Sequence, residues 1–329
     1  MVLNVLPITK LLFVECNLTK EEKPTIKTKI LKKIFRQDEV KDSTPEGPPV
    51  DLSHGSPYGL ATTKCMDVKI PCTVGEGEKF LKAWFMEPES SVGREKVILY
   101  SHGVSNTRGA FYRVALYNIL IKYGFTVLAY DYRGFADSSQ ENPTEETVVQ
   151  DCKTALEWLR NKIKKNTKIV AWGHSLGAAV TCHALAEEFD EKGENTGVAA
   201  VILEAPFNNM ADELKVAVND VNNVLIKNIV KLFSKMGGLS KMTKDYDIAF
   251  QSDMCLGHIP CPVLMVAAED DERIPVKLSH KLVDKARKEG KDNLTVHQFD
   301  ASGKFGHKYM YKAENLPKIV EAFCNSFQL

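Results

Sequence analysis

The sequence predicts an α/β fold with a mostly parallel sheet and helices on both faces. Three observations carry that expectation. From Val97 onward, short apolar runs alternate with stretches of helical spacing, the order that gives a parallel sheet covered on both sides. The pentapeptide Gly173-His174-Ser175-Leu176-Gly177 lies between one such apolar run (167–172) and a helix-forming stretch containing Ala178, Ala179, Val180 and Ala184. The residues equipped for chemistry follow directly after strands, at the carboxyl edge where open sheets of this class bind ligands.

The elements follow in order. Residues 64–72 and 79–86, joined through Gly75-Glu76-Gly77, make an opening antiparallel pair. Residues 97–104 form a buried strand ending in His102-Gly103, followed by a helix at 111–123 and a strand at 126–131. Residues 145–164 have helical spacing, with Val148, Cys152, Ala155, Leu156 and Leu159 on one face, Asn142 as the expected cap and Pro143 at the first turn. The strand at 167–172, the helix after Ser175 and the strand at 198–204 continue the alternation.

Between Pro206 and Pro260 roughly fifty residues interrupt the rhythm, more than an ordinary loop. Residues 211–235 carry helical spacing through Val221, Val224, Leu225, Ile229, Leu232 and Phe233, while Lys227, Lys231 and Lys235 form a stripe at every fourth position. The expectation is a helical cap insert at about 207–259, lying over Ser175 with a dry side for an acyl chain. The lysines either attract an anionic head group or bilayer, or form a plain solvated face. The last strands are 263–268 and the alternating 294–299, before the loop 302–307 and a terminal helix.

Composition narrows the function classes. The 329 residues suffice for one large domain with an appendage, and 44% hydrophobic residues allow a full core. Lys plus Arg and Asp plus Glu both number 43, so no net charge draws the chain to nucleic acid. There is no zinc-spaced Cys/His pattern, no P-loop and no GxGxxG after a strand, and no metal or organic cofactor is expected. The eight cysteines are scattered without C-x-x-C, and free thiols are expected. Cys65 and Cys72 are an odd offset apart on one strand and so face opposite sides.

No run of about 18 apolar residues is present. The start, 1–14, is apolar but broken by Asn4, Pro7 and Lys10. Residues 20–36 repeat Ile26, Ile30 and Ile34 among basic side chains that include Lys23, Lys27, Lys29, Lys32, Lys33 and Arg36. That pattern suits a basic amphipathic helix lying on an anionic bilayer, or else a solvated arm. With the Pro-, Gly- and Ser-rich 42–59, this makes residues 1–60 a basic arm and linker ahead of a domain at 61–329.

The pentapeptide matches G-x-S-x-G, the nucleophile elbow: a serine on a sharp strand-to-helix turn, its Oγ exposed at the sheet edge. The partners expected in chain order are an acid and then a histidine. The strand 263–268 runs into Glu269, Asp270 and Asp271; Asp270 and Asp271 compete for the role of orienting an imidazole. Of the histidines after Ser175, His183 and His280 lie in helical patterns, His258 precedes the acid strand and His297 lies within a strand. His307, in a glycine-bearing loop after the last strand, is the candidate base. The oxyanion donors are expected from the backbone amides of Val104, after His102-Gly103, and of Leu176, after the serine.

These residues resemble the α/β-hydrolase-domain lysophosphatidylserine lipases, which also act on monoacylglycerols. The resemblance runs from about Lys79 to Phe323 and is carried by Ser101-His102-Gly103, Thr107-Arg108-Gly109, Asp131-Tyr132-Arg133-Gly134 and the elbow. It continues through 202–207, Ala268-Glu269-Asp270-Asp271, His307-Lys308-Tyr309 and Tyr311-Lys312. It implies the α/β-hydrolase fold, Ser175 as nucleophile and His307 as base. Its D-x-x-[VI]-P pattern implies Asp271 rather than Asp270 as acid. A serine ester hydrolase of lysophospholipids or monoacylglycerols is expected, with acyl-protein thioesterase and non-catalytic lipid-binding protein as alternatives. Members typically carry an N-terminal transmembrane anchor and a lumenal catalytic domain, so membrane association at the endoplasmic reticulum is implied. This chain departs from that pattern in lacking a convincing span. Asn17-Leu18-Thr19 and Asn293-Leu294-Thr295 are formal glycosylation sequons.

Overall fold

In a computed structural model, the described residues are 64–72, 77–88, 96–193, 197–219, 228, 231–232 and 234–327. The opening strands are β1 (Lys64–Cys72), with β-branched Val68 and Ile70, and β2 (Lys79–Glu87), with aromatic Phe80, Trp84 and Phe85, paired antiparallel with Lys64 opposite Glu87. Next come β3 (Lys96–Ser101), α1 (Phe111–Lys122), β4 (Thr126–Asp131), α2 (Glu145–Lys162), β5 (Lys168–His174), α3 (Leu176–Lys192) and β6 (Val198–Glu204). The chain closes with α4 (Met210–Asn219), α5 (Gly238–Asp245), the one-turn α6 (Ser252–Cys255), β7 (Val263–Ala268), α7 (Val276–Lys288), β8 (Leu294–Phe299) and α8 (Leu316–Ser326).

The eight strands form one sheet in the order β1-β2-β4-β3-β5-β6-β7-β8. Pairings from β4 to β8 are all parallel; β1–β2 and β2–β4 are antiparallel. Every residue of β4 and of β7 is buried, as expected where helices cover both faces. One face packs on α2, α3 and α7 through residues such as Val148, Leu156, Val180 and Leu282. The other packs on α1 and α8 through Val114, Tyr117, Leu120, Val320 and Phe323. Full burial of such a side chain is worth roughly 1.5–3 kcal/mol, so each apolar stripe is a strong determinant of where its helix lies. Cys65 packs against the second cluster and Cys72 against the first, on opposite sheet faces as their spacing requires; both are free.

Two local expectations are corrected. The cap of α2 is Thr144, not Asn142: its side chain accepts from Thr147 N while the Thr147 hydroxyl accepts from Thr144 N, a reciprocal capping box. A Thr with a partner three residues on satisfies two otherwise orphaned amides, which Asn142 ahead of Pro143 does not do. The helix stops at Lys162, where Ile163 turns to extended backbone. Of the expected cap helix at 211–235, the described residues are helical in α4 up to Asn219 and again at 228, 231–232 and 234–235, before Met236-Gly237 forms a turn with Gly237 at φ 76°. Leu232, expected on the apolar side, is 61% exposed, while Lys231 and Lys235 are exposed as expected of either reading. Val221, Val224, Leu225, Lys227, Ile229 and Phe233 lie outside the described residues, as do 1–60 with the basic arm and Asn17.

The ends of the insert meet at its base. Met210 N donates to Ala249 O, Asp253 N to Asn208 O, and the Asn209 side chain to Asp253. The base is stapled to α2, where Glu145 accepts from Phe250 N and its own amide donates to Asp247 O. Among the described residues no helix is long and apolar enough to cross a membrane.

Candidate active site

The parallel register brings the carboxyl ends of the central strands into line: Ser101 lies opposite Gly173, and His174 opposite Glu204. The turn from β5 into α3 is sharp, and Ser175 has φ 56° and ψ −116°, a left-handed conformation that costs a non-glycine residue on the order of 1–3 kcal/mol. The flanking glycines are sterically obligatory. A Cβ on Gly173 would lie 2.2 Å from Gly177 O, and one on Gly177 would lie 1.9 Å from Ser101 O. Backbone thus passes where a side chain would be, and the turn is held by Ser175 N donating to Glu204 O at 2.9 Å.

His307 hangs in the loop after β8. Its Nε2 is 3.0 Å from Ser175 Oγ and its Nδ1 is 2.8 Å from Asp271 Oδ2. Asp271 is 4% exposed, and its second oxygen accepts from the amides of Arg273 (2.9 Å) and Ile274 (2.8 Å). With an acceptor-only carboxylate facing Nδ1, the ring proton sits there and the Nε2 lone pair faces the serine hydroxyl. The three consecutive carboxylates divide the labour. Glu269 accepts from the Gln298 side chain and from Ala301 N. Asp270 accepts from Gly306 N at 2.9 Å, steadying the residue before His307. Asp271 takes the imidazole itself.

The competing histidines have other partners. His183 Nδ1 lies 3.2 Å from Glu145 beneath the insert, and His258 Nδ1 lies 3.3 Å from Asp190. His280 pairs with Gln298, and His297 packs edge-on against Phe299.

The two amides expected to bind an oxyanion flank the serine. Leu176 N–H opens the 17-residue α3, at the positive end of its dipole. Gly103 packs on the elbow so closely that a Cβ there would lie 3.3 Å from Ser175 Cβ, and Val104 is the next residue. Among the described residues neither amide has a protein acceptor.

Several residues around the site have contacts that the motifs containing them do not reveal. His174 is buried, and its Nε2 donates to His307 O at 2.8 Å while the two rings lie 4.9 Å apart. Burial, with His307 and Arg113 nearby, holds it well below the ordinary histidine range, so it is neutral. His102 Nδ1 donates to Gly103 O at 2.7 Å, and its Nε2 stands 3.1 Å from Asp131 Oδ1. Burial alone would raise Asp131; the Arg108 guanidinium beside it outweighs burial, and the carboxyl is held at about 2. The signal that finds such residues is a charged side chain at a position where strand or helix periodicity demands an apolar one. Arg113 is an example, at 1% exposure on the buried side of α1.

Glu204 lies under the elbow with Trp172 Nε1 donating to it at 2.9 Å, and burial pushes its carboxyl up to about 7 despite that bond. The unfolded-state value is 4.5. Below pH 4.5 the group is protonated in both states and costs nothing. Between 4.5 and 7 only the unfolded chain releases the proton, so folding stability falls, and above 7 the loss is constant. Glu204→Gln keeps an acceptor for Trp172 and removes this loss, of the order of 3 kcal/mol at most. Thermal melts should show the variant more stable than wild type at pH 8 and level with it at pH 4.

Strand order, helix placement and the Ser175–His307–Asp271 arrangement define an α/β-hydrolase. A model of the family described as serine aminopeptidase, S33 matches residues 93–254. The chain is 32% identical over 254 residues to protein ABHD12B of Homo sapiens, across 77% of this chain and 67% of that one. It is 35% identical over 236 residues to lysophosphatidylserine lipase ABHD12 of Danio rerio, across 69% of this chain and 57% of that one. The chain therefore belongs to the α/β-hydrolase family of ABHD12B and ABHD12, and it spans little more than half the length of the Danio rerio relative. Solved structures repeat the fold: an α/β hydrolase of Vibrio vulnificus superposes with TM-score 0.66 at 18% identity, covering 93% of this chain and 98% of that one. An esterase of Pyrococcus furiosus superposes with TM-score 0.62 at 20% identity, covering 85% and 97%.

Proposed function

We propose that this chain is a serine ester hydrolase that releases the fatty acid of a lysophospholipid, of the lysophosphatidylserine kind, or of a monoacylglycerol. The observation that supports it best is the Ser175–His307–Asp271 line of contacts, 3.0 and 2.8 Å, in a chain of this family. In this reading His307 Nε2 takes the Ser175 proton as Oγ attacks the ester carbonyl, and Asp271 stabilises the imidazolium that results. The oxyanion rests on the amides of Val104 and Leu176. Collapse of the tetrahedral intermediate, with a proton returned from His307, expels the glycerol-bearing alcohol and leaves an acyl-Ser175. Water, deprotonated by His307, then attacks the acyl group and frees the fatty acid.

A lipid substrate brings the enzyme to a surface. Exposed Lys231 and Lys235 beside exposed Leu232 and Met236, 61% and 78% accessible, are the kind of cationic and apolar edge that meets an anionic bilayer. Peripheral membrane contact through this edge and through residues 20–36 is part of the proposal.

The test is fatty-acid release from lysophosphatidylserine, monoacylglycerol, lysophosphatidylcholine and a palmitoyl thioester, with Ser175→Ala as blank. Serine-dependent release favouring lysophosphatidylserine is the expected result. Release from monoacylglycerol alone would remove the anionic head group from the reading. Cleavage of the thioester alone would replace it with acyl-protein thioesterase.

A further inference from the structure

Arg113 is a fully buried cation with no carboxylate at ion-pair distance among the described residues. Burying a charge without an opposite one is expensive unless its donors are satisfied. Its two terminal nitrogens meet that demand on a single loop, the one between β3 and α1, while the buried Nε has no hydrogen-bond partner among the described residues. Nη1 donates to Thr107 O at 2.6 Å, and Nη2 donates to Ser105 O at 2.6 Å and to Gly103 O at 3.2 Å. Three alternate carbonyls of one short loop are thus gathered on one planar fork, a geometry that a lysine ammonium does not reproduce.

One of those carbonyls has particular importance. Gly103 C=O and Val104 N–H belong to the same peptide unit, and in a trans peptide the two groups point in opposite directions. The carbonyl is held by Arg113 Nη2 and by His102 Nδ1 together, so the amide must face the other way. Gly103 itself presses on the elbow beside Ser175. Two donors on the carbonyl, one of them cationic, also polarise the peptide and make its N–H a stronger donor.

We infer that Arg113 is a positioning residue, which orients and polarises the Gly103–Val104 peptide so that the Val104 amide is presented to the oxyanion formed on Ser175. The inference rests on the ester-hydrolase reading. It makes a backbone donor, which no side-chain deletion reaches, accessible to substitution.

The experiment uses the full chain with Arg113→Met and Arg113→Lys, the latter keeping a cation in the same place. Turnover of a soluble short-chain ester is measured together with the affinity of an alkyl boronic acid, which becomes tetrahedral on the serine, and of an uncleavable ether analogue. Losing an oxyanion donor outright costs roughly 100- to 1,000-fold in kcat, and a misaimed donor should cost roughly 10- to 100-fold. The expected result is that fall in kcat at nearly constant KM, matched by an equal weakening of boronate binding, with ether binding unchanged. A merely structural arginine would weaken ether and boronate alike, and that outcome overturns the inference. So does wild-type kcat in a folded Arg113→Lys; if Arg113→Met gives no cooperative melt, the lysine variant decides. Failure of the underlying reading looks different: wild type itself would neither turn over esters nor be labelled by a fluorophosphonate.

Discussion

Ser175→Ala is expected to lower kcat about a million-fold, as removal of the nucleophile does in other triads, while the fold stays intact. Among the described residues the side chain makes a single hydrogen bond, to His307 Nε2, and alanine at the same position keeps the main-chain bond to Glu204 O. Neither change removes a core contact, so the melting temperature should move little. Ser175→Gly sharpens the expectation. At φ 56° and ψ −116° glycine relieves strain that serine and alanine both bear. That variant should be as inactive as the alanine one yet melt above wild type, by an amount corresponding to about 1 kcal/mol. Such a result would mean that the turn is strained to expose Oγ. Fatty-acid release and thermal melts on the three proteins decide it. Retained turnover in Ser175→Ala would remove Ser175 as nucleophile; a lower melting temperature in Ser175→Gly would show that the turn carries no strain.

Much of this was legible in the sequence because strands buried on both faces and a strained serine turn impose narrow sequence requirements. The runs at 97–101, 126–131 and 263–268 have no solvated face, so their residues are almost all apolar and their limits plain. The Gly173-x-Ser175-x-Gly177 spacing is dictated by main chain lying within 2.2 Å of where a Cβ would stand. What stayed hidden depends on long-range geometry. Asn142 and Thr144 are both good caps in isolation; a reciprocal partner at Thr147 selects the second. The insert's length was plain, but its apolar spacing did not mark which side chains are covered, since Leu232 on the expected apolar side is exposed. Arg113 looked like one more charge on a helix, since nothing local reveals that its fork meets carbonyls six, eight and ten residues back.

The pair Asp270 and Asp271 shows the same limit most clearly, and their asparagine variants should differ by orders of magnitude. In Asp271→Asn the amide oxygen still accepts from Arg273 N and Ile274 N, so its NH₂ is turned toward His307 Nδ1. A donor there forces Nδ1 to be the acceptor and places the ring proton on Nε2, facing Ser175 Oγ, where a lone pair is required. The cost of that tautomer in a serine triad is about 10⁴ in kcat with the geometry unchanged. In Asp270→Asn the oxygen that accepts from Gly306 N is kept, and the amide nitrogen takes the position of a buried carboxylate oxygen that has no partner. The loss there is at most one charge-assisted bond behind His307, about tenfold or less in kcat. Turnover of both variants, read beside their melts, separates the two carboxylates. Were Asp270→Asn the variant that collapses while Asp271→Asn worked normally, His307 would have to take a different partner during turnover, and the assignment of the acid would pass to Asp270.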